Sequence, residues 1–424
     1  MSSPVTALTD LAVNFFRAQE KHAGVRPPFD FGLDPIASEA ASRSFLVPEM
    51  GHVPGLQEAV EAIFQDSDLE YLRSREGELD PFVMHAGGGV RVSDSAFVTA
   101  LLGSARARMF LLRLPEEEGE FARLVIEGFS ELRRAARHEP VSGTAFFGFS
   151  GLSLSEDVQV ATPWGVLRAA PPVTDPRSGF HPFRPTTTMV LSERRLLTVQ
   201  FSRAAEPEFP EFDNEVRKAD ETAMQLFPLA WALASEDQSP VAPVLTWSTA
   251  TLPFVGSTGF SSPQIATWPR PTIDVSDRVQ EFERWAHAIH MRHTANVDIA
   301  ARRIVSAISH RLDLSDALID SVMAWENLVG TSLETTFRVT AALAKLLVQD
   351  PSERSAFRGQ LSEIYGIRSR VVHGNFVAPK DVEDAAKKAT NIAIASLKAA
   401  YERGGDWLAL NSTQRADRLL LEEP

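Results

Sequence analysis

The chain has 424 residues, 44% of them hydrophobic, and a formal net charge of −14. This length is sufficient for two or three globular domains. The chain has no cysteine, which excludes disulfides, thiolate metal sites and cysteine nucleophiles. Neither an apolar run of eighteen residues nor a signal-peptide pattern is present in the sequence. We therefore expect a cytoplasmic protein without a membrane span.

The negative charge is unevenly distributed. Residues 276–424 hold 19 Lys and Arg against 20 Asp and Glu, so nearly all of the net charge falls on residues 1–275. General binding to nucleic acid depends on cations that displace counterions, and a chain this acidic does not suit it. Any contact with RNA is therefore expected to be local and transient.

Residues 1–140 are predicted to be mainly helical. A helix over residues 1–25 would bury an apolar face and end at Pro27-Pro28, before a loop over residues 26–53. Further helices are predicted at 54–65, 93–113 and 120–138. The apolar face of the first helix comprises Leu8, Leu11, Ala12, Phe15 and Phe16.

A glycine triplet, Gly87 to Gly89, lies between these helices. Its backbone N–H groups could bind phosphate, but it lacks the Gly-Lys-Ser/Thr ending of a P-loop. The alternative, which we favour, is a turn or the tip of a loop.

Residues 141–270 are predicted to be rich in β-strands and to pack with the first region. Short β-type runs occur near residues 144–149, 158–160, 164–167, 189–191 and 195–201, which predicts a small, mainly antiparallel sheet. The loop over residues 169–187 carries Arg177, His181 and Arg184, which either contact RNA or only face solvent. A helix over 212–234 and further β-like sequence over 240–268 complete the region.

Residues 276–424 are predicted to form an all-helical bundle with short connections. The helices are expected at 277–293, 296–310, 314–329, 332–349, 352–373 and 381–402, followed by a short segment from 407 to 421. The fold class is therefore α+β, with a mixed α/β N-terminal region and a helical C-terminal one.

The helix predicted over 352–373 carries the main functional pattern. Its apolar residues are spaced by four, three and seven positions, as on a core-facing stripe. Arg368 occupies a position of that stripe, and His373 falls in the last turn, where a cation is favoured. Gly374 is a predicted C-terminal cap. The apolar residues are Phe357, Leu361, Ile364 and Val371.

The run from Tyr365 to Gly374 (Tyr-Gly-Ile-Arg-Ser-Arg-Val-Val-His-Gly) resembles the motif of HEPN domains, in particular the Apea-like branch. Those domains carry an Arg, four to six intervening residues and a His. Here four residues intervene, and the first of them, Ser369, is polar. The resemblance extends over about residues 276–403 and implies nothing for the first 270.

The resemblance implies a metal-independent endoribonuclease without a cofactor, in which Arg368 and His373 are catalytic. It also implies a homodimer, because two HEPN domains bring two Arg–His pairs together. The supporting residues would be Ser369, Glu326, Tyr365 and Asn375, and Arg370 would contact RNA. The family further suggests a toxin or antiviral defence effector, in which residues 1–275 sense a trigger or restrain the nuclease.

Glu326 lies on an apolar stripe of its own helix, with Ile319, Val322 and Val329. A buried charge requires a partner, so we expect Glu326 to pair with Arg368 or His373. Structural pairing alone, without a catalytic role, is equally compatible with the pattern.

Three alternatives to the nuclease remain open. The first is a non-catalytic HEPN module that binds nucleotide or RNA, or only dimerises. The second is a regulatory scaffold in which Arg368 and Glu326 serve the core. The third, which helical spacing disfavours, is a metal site at His287, His290 and His293.

Overall fold

A computed structural model describes residues 3–21, 34–44, 53–85, 88–173, 186–205, 214–235, 240–261, 271–330 and 335–422. The chain forms two compact units. The first comprises Met1–Gln159, Gly165–Asp220 and Leu245–Thr272, and the second Val160–Trp164, Glu221–Val244 and Ile273–Pro424. The basic loop residues Arg177, His181 and Arg184 lie outside the described residues.

The described residues contain fourteen α-helices. They are α1 Pro4–Lys21, α2 Pro35–Ser44, α3 Leu56–Ile63, α4 Asp94–Leu111, α5 Glu118–Ala136, α6 Asn214–Ala234, α7 Val279–Arg292, α8 Asp298–Val305, α9 Leu314–Val329, α10 Thr335–Leu347, α11 Pro351–Val372, α12 Pro379–Glu402, α13 Gly405–Ala409 and α14 Ser412–Asp417. The strands are β1 Phe82–His85, β2 Gly88–Arg91, β3 Val141–Ser150, β4 Leu152–Ser153, β5 Gln159–Thr162, β6 Gly165–Ala169, β7 Met189–Leu197, β8 Gln200–Ser202, β9 Val244–Leu252, β10 Gly256–Ser261 and β11 Ile273–Asp274. The predicted α+β class is confirmed.

The first unit packs its helices around a core to which α1, α3, α4 and α5 contribute. The predicted apolar face of α1 is buried there, and Phe15 stacks on Phe121 of α5 with ring centroids 5.8 Å apart. Burying apolar side chains from several helices in one cluster is the main source of their stability.

The main sheet has the strand order β10-β9-β3-β7-β6-β5. Strands β3 and β7 pair in antiparallel register from Val141 opposite Leu197 to Phe149 opposite Met189. Trp247 lies so close to β3 that a Cβ atom on Gly148 would be 2.3 Å from its indole. Only glycine fits at that position, because any side chain would clash with the ring.

Two elements of the first unit differ from the sequence-based expectation. Residues 35–44, predicted as part of a loop, form helix α2. Asp34 caps it by accepting from the N–H of Ile36 at 2.9 Å, and Pro35 occupies its first turn. The Pro, Ser and Asp content that suggested a loop is also the composition of a helix start.

The region around the glycine triplet also differs. Strands β1 and β2 form an antiparallel hairpin, with His85 opposite Gly88, and β8 pairs with the other edge of β1. Gly88 and Gly89 therefore belong to a strand rather than to a loop tip, and Gly87 lies outside the described residues. Glycine is depleted in strands, and its presence concealed the β pattern.

The second unit is helical from residue 276 onward over its described part, as predicted. Helices α9 and α12 pack against each other, and their contact includes polar bonds. The Trp325 indole N–H donates to the Ala389 carbonyl at 3.2 Å, and the Ser321 and Thr390 hydroxyls are 2.9 Å apart. These bonds fix the register of α9, the helix that carries Glu326.

Candidate active site

Helix α11 is defined at both ends by capping groups. At its start, the Asp350 carboxylate accepts from the Ser352 N–H at 2.9 Å, and Pro351 follows the cap. At its end, Gly374 has φ +73°, the Asn375 N–H donates to the Arg370 carbonyl at 2.9 Å, and the Gly374 N–H donates to that of Val371. This is a Schellman motif, so the backbone around His373 has a fixed path.

The buried side of α11 comprises Leu361, Ile364, Tyr365 and Ile367. Phe357 and Val371, predicted on the same stripe, are half-buried, as is Arg368. The Nε atom of Arg368 is buried and has no hydrogen-bond partner among the described residues. The guanidinium is therefore partly desolvated and retains unused hydrogen-bonding capacity, which suits a group that binds an anion.

Tyr365 connects α11 to α9. Its Oη donates to Oε1 of Glu326 at 3.3 Å, and its ring packs on Trp325 at 5.9 Å. Burial raises the pKa of the Tyr365 hydroxyl, the negative charge of Glu326 raises it further, and the positive charge of Arg368 opposes them. The phenol thus remains a proton donor at neutral pH.

The direct ion pair expected between Glu326 and Arg368 or His373 is not formed. All three side chains are described, and no nitrogen of either partner lies within 4.0 Å of the Glu326 carboxylate. Tyr365 precedes Arg368 by three residues and shares its side of α11. The phenol of Tyr365 donates to the carboxylate instead. Glu326 therefore acts on Arg368 only through the intervening tyrosine and by long-range electrostatic attraction.

His373 caps α11 and is exposed, as are Ser369, Arg370 and Asn375. Five residues of α-helix correspond to about 140° of rotation and about 7.5 Å of rise. Arg368 is thus directed partly into the helical bundle, whereas His373 faces solvent on another side of the helix. One copy of the chain presents the two groups on different sides.

The histidines considered as a metal site do not converge. His287 and His290 are exposed, whereas His293 is half-buried. The ring of His293 is bonded through Nε2 to Asp298 at 2.6 Å and through Nδ1 to the hydroxyl of Tyr401. Both ring nitrogens are therefore engaged within the fold. Among the described residues, no group of three or more acidic or histidine side chains has the arrangement of a metal site.

Two buried charged groups were not anticipated from the sequence. Asp320 is 1% exposed and accepts from Arg303 at 2.6 Å, Arg311 at 2.7 Å and the Ser306 hydroxyl at 2.8 Å. Burial opposes ionisation, but these hydrogen bonds outweigh it and lower the pKa of Asp320. The available signal was the position of Asp320 within the apolar run of α9.

The second group is Arg415, which is 0% exposed. Its guanidinium donates five hydrogen bonds to backbone carbonyls, and burial lowers its pKa to about 10. The acceptors are the carbonyls of Asn296, Asn327, Leu328, Leu408 and Leu410. Arg415 holds the C-terminal end of α9, directly after Glu326.

Comparison with known proteins identifies no relative. No family model matches the chain, and no curated protein or solved structure matches it. No helix among the described residues is long and apolar enough to cross a membrane. The chemistry of the site therefore has to follow from its own residues.

Proposed function

We propose that the chain is a metal-independent endoribonuclease of the HEPN type, active as a homodimer in the cytoplasm. The observation that carries the proposal is the arrangement at the end of α11. Arg368 lies partly desolvated beside the bonded pair of Tyr365 and Glu326, and its Nε has no partner among the described groups. His373 is accessible to solvent five residues later.

Arg368 and His373 suit RNA cleavage in which the ribose 2′-OH attacks the adjacent phosphorus. A histidine removes the proton from the ribose 2′-OH, the 2′-oxygen bonds to the adjacent phosphorus, and the bond to the 5′-oxygen breaks. The leaving 5′-oxygen takes up a proton, and the other fragment ends in a 2′,3′-cyclic phosphate. Histidine serves proton transfer near neutral pH. Arginine stabilises the charge that builds on the phosphoryl oxygens, because its planar fork donates to two oxygens.

The homodimer explains how groups on different sides of α11 serve one site. A second copy would supply a second Arg368 and His373, so that one histidine acts as base and the other as acid. An exposed row of small residues on α11 supports close approach of a partner helix. Its spacing of four and three places it on one face, which continues to His373. The row is Ser355, Gly359, Ser362, Gly366 and Ser369.

The two glycines in this row are not required by the packing of a single chain. A Cβ atom at Gly359 or Gly366 would meet nothing within 4 Å. Glycine in a helix interior costs about 1 kcal/mol relative to alanine. A partner backbone that approaches these positions closely would account for both glycines.

A second candidate function is a non-catalytic module that binds RNA or nucleotide, or only dimerises. The bond between Tyr365 and Glu326 favours it, because this bond stabilises the core whether or not Arg368 meets a phosphate. For either function, the acidic first unit would sense a trigger or restrain the second. A toxin or defence role belongs to the nuclease proposal alone.

The experiment is RNA cleavage by the purified full-length chain, with analysis of the product ends. We expect 2′,3′-cyclic phosphate ends, and activity that survives EDTA. His373→Ala should lower the rate by about 10²–10⁴ with little change in thermal stability, since the side chain is exposed. Arg368→Ala should also abolish cleavage.

His287→Ala, which removes another exposed histidine on α7, is the matched control and should leave cleavage unchanged. Wild-type activity in a folded His373→Ala chain would reject the catalytic role. RNA binding without cleavage in the wild type would favour the binding module instead.

A further inference from the structure

Phe376 is the most exposed of the large hydrophobic side chains among the described residues, at 89%. It lies in the link between α11 and α12, three residues after His373. The Schellman motif at Gly374 fixes the link at one end, and Pro379 begins α12 at the other. The ring is therefore held in solvent by a defined backbone, next to the proposed catalytic histidine.

The formal charges nearest to Phe376 along the chain are those of Lys380, Asp381 and Arg370, two cations and one carboxylate. Arg370 and Lys380 are both exposed, and within the described residues neither forms an ion pair within 4.0 Å. The link thus combines a flat apolar ring with two exposed cations. The charge of Lys380 acts on Glu383, whose close ion pair is with Lys387 at 2.6 Å. Single-stranded nucleic acid has the complementary chemistry, because its phosphates meet the cations and its unstacked bases offer faces to the ring.

We infer that Phe376 stacks on a nucleobase of single-stranded RNA beside the phosphate that is cleaved, with Arg370 and Lys380 contacting the flanking phosphates. This inference rests on the proposed function. Phe376 is then a positioning residue, since it holds the substrate without touching the reacting atoms. A second copy of the chain is a less favourable occupant, because a two-fold contact centred on the link would bring like cations together.

The test measures RNA binding and cleavage separately. Binding is measured by fluorescence anisotropy on His373→Ala chains with labelled single-stranded RNA oligonucleotides, and cleavage on chains that retain His373. Phe376→Ala should weaken binding by about tenfold or more, the scale of one lost base stack, and should raise KM more than it lowers kcat. Phe376→Trp should bind within about twofold of the parent, because indole also stacks. Leu421→Ala, which removes another side chain that is 78% exposed, should bind as the parent does.

Oligonucleotides with one abasic position identify the base that stacks. One such position should weaken binding to the parent chain by the factor seen for Phe376→Ala, with no further loss in the Phe376→Ala chain. Equal binding and KM in Phe376→Ala and parent would overturn the inference while leaving the nuclease proposal intact. So would a loss of dimer in sedimentation of Phe376→Ala, which would assign the ring to contact between copies. A wild-type chain that neither binds nor cleaves RNA would reject the proposed function and this inference together.

Discussion

Replacing Gly359 and Gly366 of α11 should stabilise the single chain and impair the proposed dimer. A Cβ atom at either position meets nothing within 4 Å, so alanine fits without a clash. Each Gly→Ala change should therefore raise the free energy of unfolding by about 0.8–1 kcal/mol through helix propensity. Between two closely packed helices, by contrast, an inserted side chain costs about 1–3 kcal/mol and occurs once in each copy. For Gly366→Leu this amounts to about 2 kcal/mol or more per dimer, or at least about 30-fold in the dissociation constant.

The assay combines denaturant unfolding at a dilution that favours the monomer with sedimentation and RNA cleavage at higher concentration. Gln360→Leu is the matched control, because this residue is also exposed on α11. It lies about 100° around the helix from Gly359 and about 120° from Gly366, outside the row of small residues. We expect Gly366→Leu to lose both dimer and activity while Gln360→Leu keeps them. A Gly366→Leu chain with wild-type sedimentation and cleavage would refute the assignment of this face to a partner helix.

Two further predictions concern buried polar groups of the second unit. Tyr365→Phe removes the donor to Glu326 and should destabilise the chain by about 1.5–3 kcal/mol, the range for hydrogen bonds to charged groups; a double-mutant cycle with Glu326→Gln that is purely additive would contradict the contact. Asp320→Asn should cost about 3 kcal/mol at neutral pH, at the low end for a broken buried pair because Arg303 and Arg311 reach solvent. Because hydrogen bonds lower the pKa of folded Asp320 below its ordinary 3.8, this contribution is complete above that pH and is lost as the pH falls through the folded value. The free energies of unfolding of the wild type and Asp320→Asn should therefore converge in acid. A difference that stays constant down to pH 2, about two units below the ordinary carboxyl pKa, would argue against an ionised, hydrogen-bonded Asp320.

Apolar periodicity predicted the long helices of this fold because each of them buries only one face. The bounds expected for α9 and α11 agree with the structure within one residue, since apolar spacing and end caps coincide there. Short elements whose composition is also typical of loops were not predicted. Helix α2 has ten residues and begins in a Pro- and Asp-containing segment, and β2 begins with two glycines.

For the site, the sequence predicted only which face of its helix each residue lies on. Spacing places Tyr365 and Arg368 on one side of α11 and Glu326 on an apolar stripe of α9. Whether Tyr365 or Arg368 bonds to the Glu326 carboxylate depends on side-chain rotamers and packing. In the structure the bond is formed by Tyr365. For the same reason the sequence did not distinguish the buried Asp320 and Arg415 from ordinary surface charges.

Arg415 gives a prediction that connects this buried network to the site. Two of its five acceptors, the carbonyls of Asn327 and Leu328, belong to the last turn of α9, whose carbonyls have no partner within the helix. Arg415→Met leaves all five carbonyls without this donor. The expected loss is at least about 4 kcal/mol, because each bond from a charged donor is worth about 1.5–3 kcal/mol and part of that is recovered by water.

Arg415→Lys retains a charge and three donors, so it should fold with an intermediate loss. Because Asn327 directly follows Glu326, a looser end of α9 should also weaken the contact between Glu326 and Tyr365. Cleavage by Arg415→Lys should then fall at temperatures where the chain is still folded. Arg418→Met, which changes an exposed arginine three residues later, should alter neither stability nor cleavage. An Arg415→Met chain that loses no more than about 1 kcal/mol, the scale of a single ordinary hydrogen bond, would show that these carbonyls are solvated without it.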